Sequence, residues 1–169
     1  RALRIQKKAR ITKDCIETLE SLSKSYCKRG MMAKALDFQI EAMEIKSDPN
    51  TYWKDEEEKI TSLAHSHYNL GRIKMLQKDF EVAKQHFKSS YEMRKKFYPK
   101  NNNTDLLYSL QGLDKIYELL GQDKKANNYN REARGVMITI QNDYINQKKN
   151  RFTILAIFSN IQLTKYDKY

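Results

Sequence analysis

Three stretches of the chain share one spacing. Leu22, Leu70 and Leu113 each stand thirteen residues before an alanine: Ala35, Ala83 and Ala126. Seven residues further comes a second small residue (Ala42, Ser90, Ala133), and three beyond that an apolar one (Ile45, Met93, Val136). The stretches begin 48 and 43 residues apart. A helical period in that range marks stacked helix pairs, each of which buries its apolar face only against its neighbours. Such a chain presents a surface and seldom performs chemistry.

The spacing has a steric cause. Within each unit a first helix ends near a turn (Lys28-Arg29-Gly30, Gln77-Lys78-Asp79, Leu120-Gly121-Gln122), and a second runs back against it. Ala35, Ala83 and Ala126 allow the two helices to cross closely. Ala42, Ser90 and Ala133 lie about two helical turns on, on the same face. Gly30 and Gly121 suit the left-handed conformation that closes many helices. The middle unit has Lys78-Asp79 instead, so its turn is expected to close differently.

These residues resemble the tetratricopeptide repeats. The segment Tyr68 to Met93 carries that family's Leu-Gly pair (Leu70-Gly71), the Asp-aromatic step at the turn (Asp79-Phe80), the crossing Ala83, the packed Phe87 and the small Ser90. Tyr91 to Ala126 is similar to kinesin light chains, with an Arg-Lys-Lys step before a Pro and Asn loop. Leu22-Ser23 and Leu113-Asp114 depart from Leu-Gly, and the only tryptophan, Trp53, falls between units. The resemblance covers roughly residues 15 to 140. It implies an all-α fold, a right-handed α-solenoid of antiparallel helix pairs with about three units plus flanking helices.

The expected organisation is as follows. Residues 1–13 end the helix of a preceding repeat, as if the sequence were an excerpt of a longer repeat protein. Units occupy 14–50, 51–100 and 101–148, and 149–169 form a terminal cap or partial repeat. Asp14 is expected to cap a new helix with Glu17 as its reciprocal partner. Pro49 ends the second helix. Asp55 opens a helix through Gln77, Phe80 to Phe97 is its partner, and Thr104 caps the next. Leu22, Tyr26, Leu70, Phe80, Phe87, Leu113, Tyr117 and Tyr129 are expected in the core.

Five glycines and two prolines in 169 residues favour helix, and no period-2 pattern points to a strand. No stretch approaches the roughly 20 apolar residues of a membrane span. Cys15 and Cys27 are too far apart on one helix to pair, which fits reduced thiols in the cytoplasm. The net charge of +11 suits acidic protein segments, acidic tails of cytoskeletal polymers, or nucleic acid.

No motif of catalysis or phosphate binding occurs, and no cofactor is implied. His65 and His67, two apart on a helix, point to different faces and cannot readily share a metal. The candidate site is the groove that the tetratricopeptide resemblance places along the first helices. It implies Glu17, Glu20, Ser21, Lys24 and Lys28 in unit one. Unit two offers His65, Tyr68, Asn69, Arg72 and Met75, and unit three Tyr108, Gln111, Lys115 and Glu118. Asn69 stands where kinesin light chains often place an asparagine facing their peptide groove. Asn and Gln would hold a peptide backbone, Tyr supply contact area, and Arg and Lys take carboxylates. Tyr68 and Tyr108 have a second reading as packing residues between units.

The resulting expectation is a non-catalytic scaffold or adaptor for other proteins, working in a cytoplasmic, cytoskeletal or ciliary assembly. Two rivals stand beside it: a basic helical repeat that binds nucleic acid, and the regulatory repeat segment of a larger enzyme.

Overall fold

Each of the three predicted turns closes by the same backbone bonds. Met31, Asp79 and Gln122 donate their N–H groups to the carbonyls of Tyr26, Lys74 and Tyr117, five residues back, at 2.9–3.0 Å. Gly30, Lys78 and Gly121 donate to Cys27, Met75 and Glu118. This paired arrangement requires a left-handed residue just past the helix end. Gly30 and Gly121 have φ of 74° and 66°, and Lys78 adopts 63°. The middle turn therefore does not close differently, as its sequence led us to expect. The bonds made by its neighbours hold a lysine where glycine would sit without strain.

These turns divide a computed structural model, which describes residues 2–98 and 103–146, into helical hairpins. The order is α1 (Ala2–Lys28), α2 (Met32–Ser47), α3 (Glu56–Leu76), α4 (Phe80–Phe97), α5 (Thr104–Leu119) and α6 (Asp123–Asn146). No strand occurs among the described residues. The fold is all-α. The pairs α1–α2, α3–α4 and α5–α6 pack most extensively, α2–α3 and α4–α5 join successive pairs, and α3 also touches α5. The expected terminal cap or partial repeat over 149–169 lies outside the described residues.

Two helix starts differ from expectation. Asp14 does not cap a new helix, because α1 runs straight through it. No Gly or Pro interrupts residues 2–28, the Asp14 carbonyl accepts from Thr18 Oγ1 at 2.7 Å, and Arg10 lies 4.0 Å from the Asp14 carboxylate. Asn103, not Thr104, caps α5, and its side chain accepts from the Asp105 N–H at 2.6 Å. Asp55 caps α3 as expected, accepting from the Glu58 N–H, with Glu56, Glu57 and Glu58 in the first turn where the helix dipole favours them.

The crossing residues Ala35, Ala83 and Ala126 are buried, as are Ala42, Ser90 and Ala133. Between α3 and α5 the Phe87 ring fills a slot floored by two glycines. A Cβ on Gly71 would lie 2.8 Å from Phe87 Cδ1, and one on Gly112 2.5 Å away. Leu113, Ile116 and Tyr117 complete this core, and Leu106, Leu107, Leu110 and Val136 form a second cluster beside it. Leu70 is buried as expected, while Tyr26, Phe80 and Tyr129 are half-buried.

Leu22 is the exception, 37% exposed. Leu70 and Leu113 sit on helices packed extensively on both sides, whereas α1 packs extensively on α2 alone among the described helices. On α1 the inward positions belong to Ile16, Leu19 and Ser23 instead, and the Ser23 hydroxyl donates to the Ala35 carbonyl at 2.8 Å.

Candidate partner-binding face

The first helices α1, α3 and α5 come together on one side of the molecule. Lys13 of α1 pairs with Glu58 of α3, and the Tyr68 ring of α3 lies 5.9 Å from that of Tyr108 on α5. His65 responds both to Glu20 of α1 and to Asp105 of α5. Candidates on α3 and α5 thus share one face, which α1 meets through Lys13 and Glu58.

Tyr68 is its hub. The ring packs on Phe87 at 5.8 Å and on Tyr108, and the guanidinium groups of Arg72 and Arg94 each approach it at 5.9 Å. Burial raises its phenol pKa, and the two arginines oppose that shift. The packing reading therefore holds for Tyr68. Tyr108 is 43% exposed and offers its ring to solvent. Arg72 is exposed beside the pair, and Asn69 and Gln111 are half-buried.

His65 is open to solvent on one side. Protein packed against its other side lowers its pKa, and Lys46 and Arg94 push the same way while Glu20 and Asp105 oppose them. On α1, Glu17, Ser21, Lys24 and Lys28 are exposed. Glu17 and Ser21 line a shallow open depression with Asp14, Thr18, Leu22 and Ser25. On α5, Lys115 donates to Glu118 at 3.2 Å, so these two partly satisfy each other. Met75 is half-buried and packs against the core.

Glu20 is committed inward. Its carboxylate accepts from the Lys46 ammonium at 2.5 Å, and the same ammonium donates to the Ser62 carbonyl at 3.1 Å and to the Ser66 hydroxyl at 2.8 Å. Lys46 is only 1% exposed, and its three donors have three acceptors. Burial lowers its pKa, and Glu20 partly restores it.

Arg94 repeats this device one pair later. It too is 1% exposed, and Nη1 donates to Ser109 Oγ at 2.6 Å. Ser109 and Ser90 hydroxyls lie 2.9 Å apart, and Ser90 donates to the Ala64 carbonyl at 2.7 Å. Since Ser90 spends its single proton on the Ala64 carbonyl, Ser109 donates to Ser90, and the chain runs one way from Arg94 through Ser109 and Ser90 to Ala64. Sequence reading missed both cations, although the register held the signal. Lys46 and Arg94 each follow their crossing alanine by eleven residues, and Ser66 and Ser109 each precede their leucine by four.

It also missed a histidine pair. Nδ1 of His67 on α3 and Nδ1 of His86 on α4 lie 3.1 Å apart, with both rings half-buried. At least one of the two rings must be neutral to accept that hydrogen bond, and burial lowers both pKa values. His65 does face away from this pair, as its spacing implied. No group of three or more metal-ligating side chains occurs among the described residues. Cys15 and Cys27 are both free thiols. No described helix is long and apolar enough to cross a membrane.

No protein-family model and no curated protein matches the chain.

Proposed function

We propose that the chain is a right-handed solenoid of tetratricopeptide-type helix pairs and serves as a non-catalytic scaffold or adaptor. It binds a segment of another protein along the face of α1, α3 and α5. The observation that carries this reading is the Tyr68–Tyr108 aromatic pair flanked by Arg72, with Tyr108 exposed on α5. Exposed aromatics and arginine on a fixed frame are the side chains that anchor protein interfaces. The setting that fits the kinesin-light-chain resemblance is a cytoplasmic, cytoskeletal or ciliary assembly.

Selection of peptides from a random display library tests it. Binders to the intact chain should lose affinity about tenfold or more with Tyr108→Ala or Arg72→Glu, since an interface anchor contributes over about 1–2 kcal/mol. Binders indifferent to both variants would remove this face from consideration. The net charge of +11 favours nucleic acid as the second reading. Fluorescence anisotropy with a single-stranded RNA, repeated over rising salt, addresses it. Tight binding that falls steeply with salt and ignores Tyr108→Ala would put that reading first.

A further inference from the structure

The buried cations Lys46 and Arg94 occupy one register, but only Lys46 has a carboxylate. Glu20, which supplies it, stands two residues before Leu22. In the second pair the residue two before Leu70 is Tyr68, which offers Arg94 a ring face in place of an anion. Arg94 consequently keeps two donors, Nε and Nη2, enclosed and without a hydrogen-bond partner. No carboxylate lies within 4.0 Å of it among the described residues.

Those two donors are not an arbitrary pair. Nε–H and the adjacent Nη2–H form one edge of the planar guanidinium, the edge that receives both oxygens of a carboxylate side by side. Enclosed donors left unpaired are costly, and more so when charged. An arriving oxyanion would recover that loss. The surroundings set its charge. Asp105 opposes Arg94, Glu20 neutralises Lys46, and neutral His65 leaves Arg72 as the unmatched cation. A single negative charge balances the site, and a doubly charged phosphate would meet Asp105 in excess. Tyr108 is the exposed ring of the cluster, on the solvent side of Tyr68.

We propose that Arg94 is an oxyanion-receiving subsite, and that its ligand is the carboxylate of an acidic side chain on a partner segment, supplying the counter-charge that Glu20 supplies in the first pair. The partner half of this inference rests on the peptide-binding reading above; the Arg94 site does not.

The test follows the Nε–Hε resonance of Arg94 in the 15N-labelled chain, assigned by its loss in Arg94→Lys. Sodium acetate is titrated at constant ionic strength, with acetamide and inorganic phosphate in parallel. Acetate should give a saturable shift, acetamide none, and phosphate a smaller one. Tyr68→Glu, which restores the internal carboxylate, should abolish the acetate response, while Asp105→Asn should strengthen it. An Arg94 shift no larger than that of exposed Arg131 overturns the proposal. So does a larger response to phosphate, or loss of Arg94 Hε protection in Asp105→Asn, which would make Asp105 its native partner. Peptides selected against the face supply the second arm: replacing their Asp and Glu by Asn and Gln should weaken binding about tenfold or more. Peptides that bind equally without carboxylates overturn the inference and spare the peptide-binding reading. A saturable acetate shift with no selectable peptide sinks the peptide-binding reading and upholds the Arg94 site.

Discussion

Phe87 and Gly112 touch so closely that no side chain fits between them. A Cβ on Gly112 would stand 2.5 Å from Phe87 Cδ1, inside any tolerated carbon contact, and 2.6 Å from Cε1. Phe87 is fully buried with Gly71 on its other flank, so the ring has little room to retreat. Gly112→Ala should destabilise the chain by about 1–3 kcal/mol, the usual cost of overpacking. The check is the midpoint of urea unfolding. A midpoint equal to that of the parent chain would mean that the slot is looser than described.

Lys78 gives a prediction of opposite sign. A left-handed residue with a side chain carries roughly 1–2 kcal/mol of steric cost, and Lys78 is exposed, so its side chain buries little in return. Glycine holds the same position in the other two turns. Lys78→Gly should therefore stabilise the protein, less the entropy that glycine adds to the unfolded chain. A net gain of about 0.5–1 kcal/mol is expected from thermal and urea unfolding together, and a loss would contradict the strain argument.

The Glu20–Lys46 pair should respond unequally to removal of its two members. Glu20→Ala leaves the Lys46 ammonium, 1% exposed, without its counter-ion, and breaking a buried pair in that way costs about 3–5 kcal/mol. Lys46→Met removes the buried charge itself and leaves Glu20 near the surface, its side chain 20% exposed. The methionine variant should be the more stable of the two. Equal losses in urea unfolding would show that the interaction is additive and not dominated by desolvation of the lysine.

Acid should weaken the α3–α4 hairpin through His67 and His86. Both rings have folded pKa values below the ordinary 6.5, mainly from burial. Repulsion from His86 adds to the shift at His67; at His86, Lys74 adds to it and Asp79 opposes it. The unfolded chain then binds protons that the folded chain refuses, so stability falls as pH drops through 6.5 and continues to fall to the folded pKa. Replacing both histidines by glutamine should flatten that part of the profile. Urea unfolding at a series of pH values decides it, and an unchanged slope assigns the acid sensitivity to other groups.

Much of the helical layout was legible because it is written in local signals. The thirteen-residue Leu-to-Ala interval, the glycines at two turns and Pro49 are all short-range, and α2, α3 and α4 fall where these place them. Leu22 was misjudged for a non-local reason: its register matches Leu70 and Leu113, but burial needs a helix on each side. The Lys78 turn escaped because backbone bonds from neighbouring residues, not residue type, set its conformation. At the candidate face the sequence named Tyr68, Arg72, His65 and Tyr108 but hid the direction of Glu20, which depends on a lysine 26 positions away. Lys46 and Arg94 were hidden by their chemistry. A charged residue on a helix is ordinarily solvated, and nothing in their immediate surroundings says otherwise.

Those two cations also govern how the hairpins come apart. Lys46 joins α2 to α1 through Glu20 and to α3 through Ser62 and Ser66, while the Arg94 chain runs through α4 and α5 to Ala64 on α3. Stacked helix pairs ordinarily fray from an end, because each pair touches only its neighbours. Here, peeling either outer pair from the middle one strips acceptors from a charge that water does not yet reach. A partly frayed chain is thereby penalised against both the intact and the fully open one, and the three hairpins melt as one cooperative body.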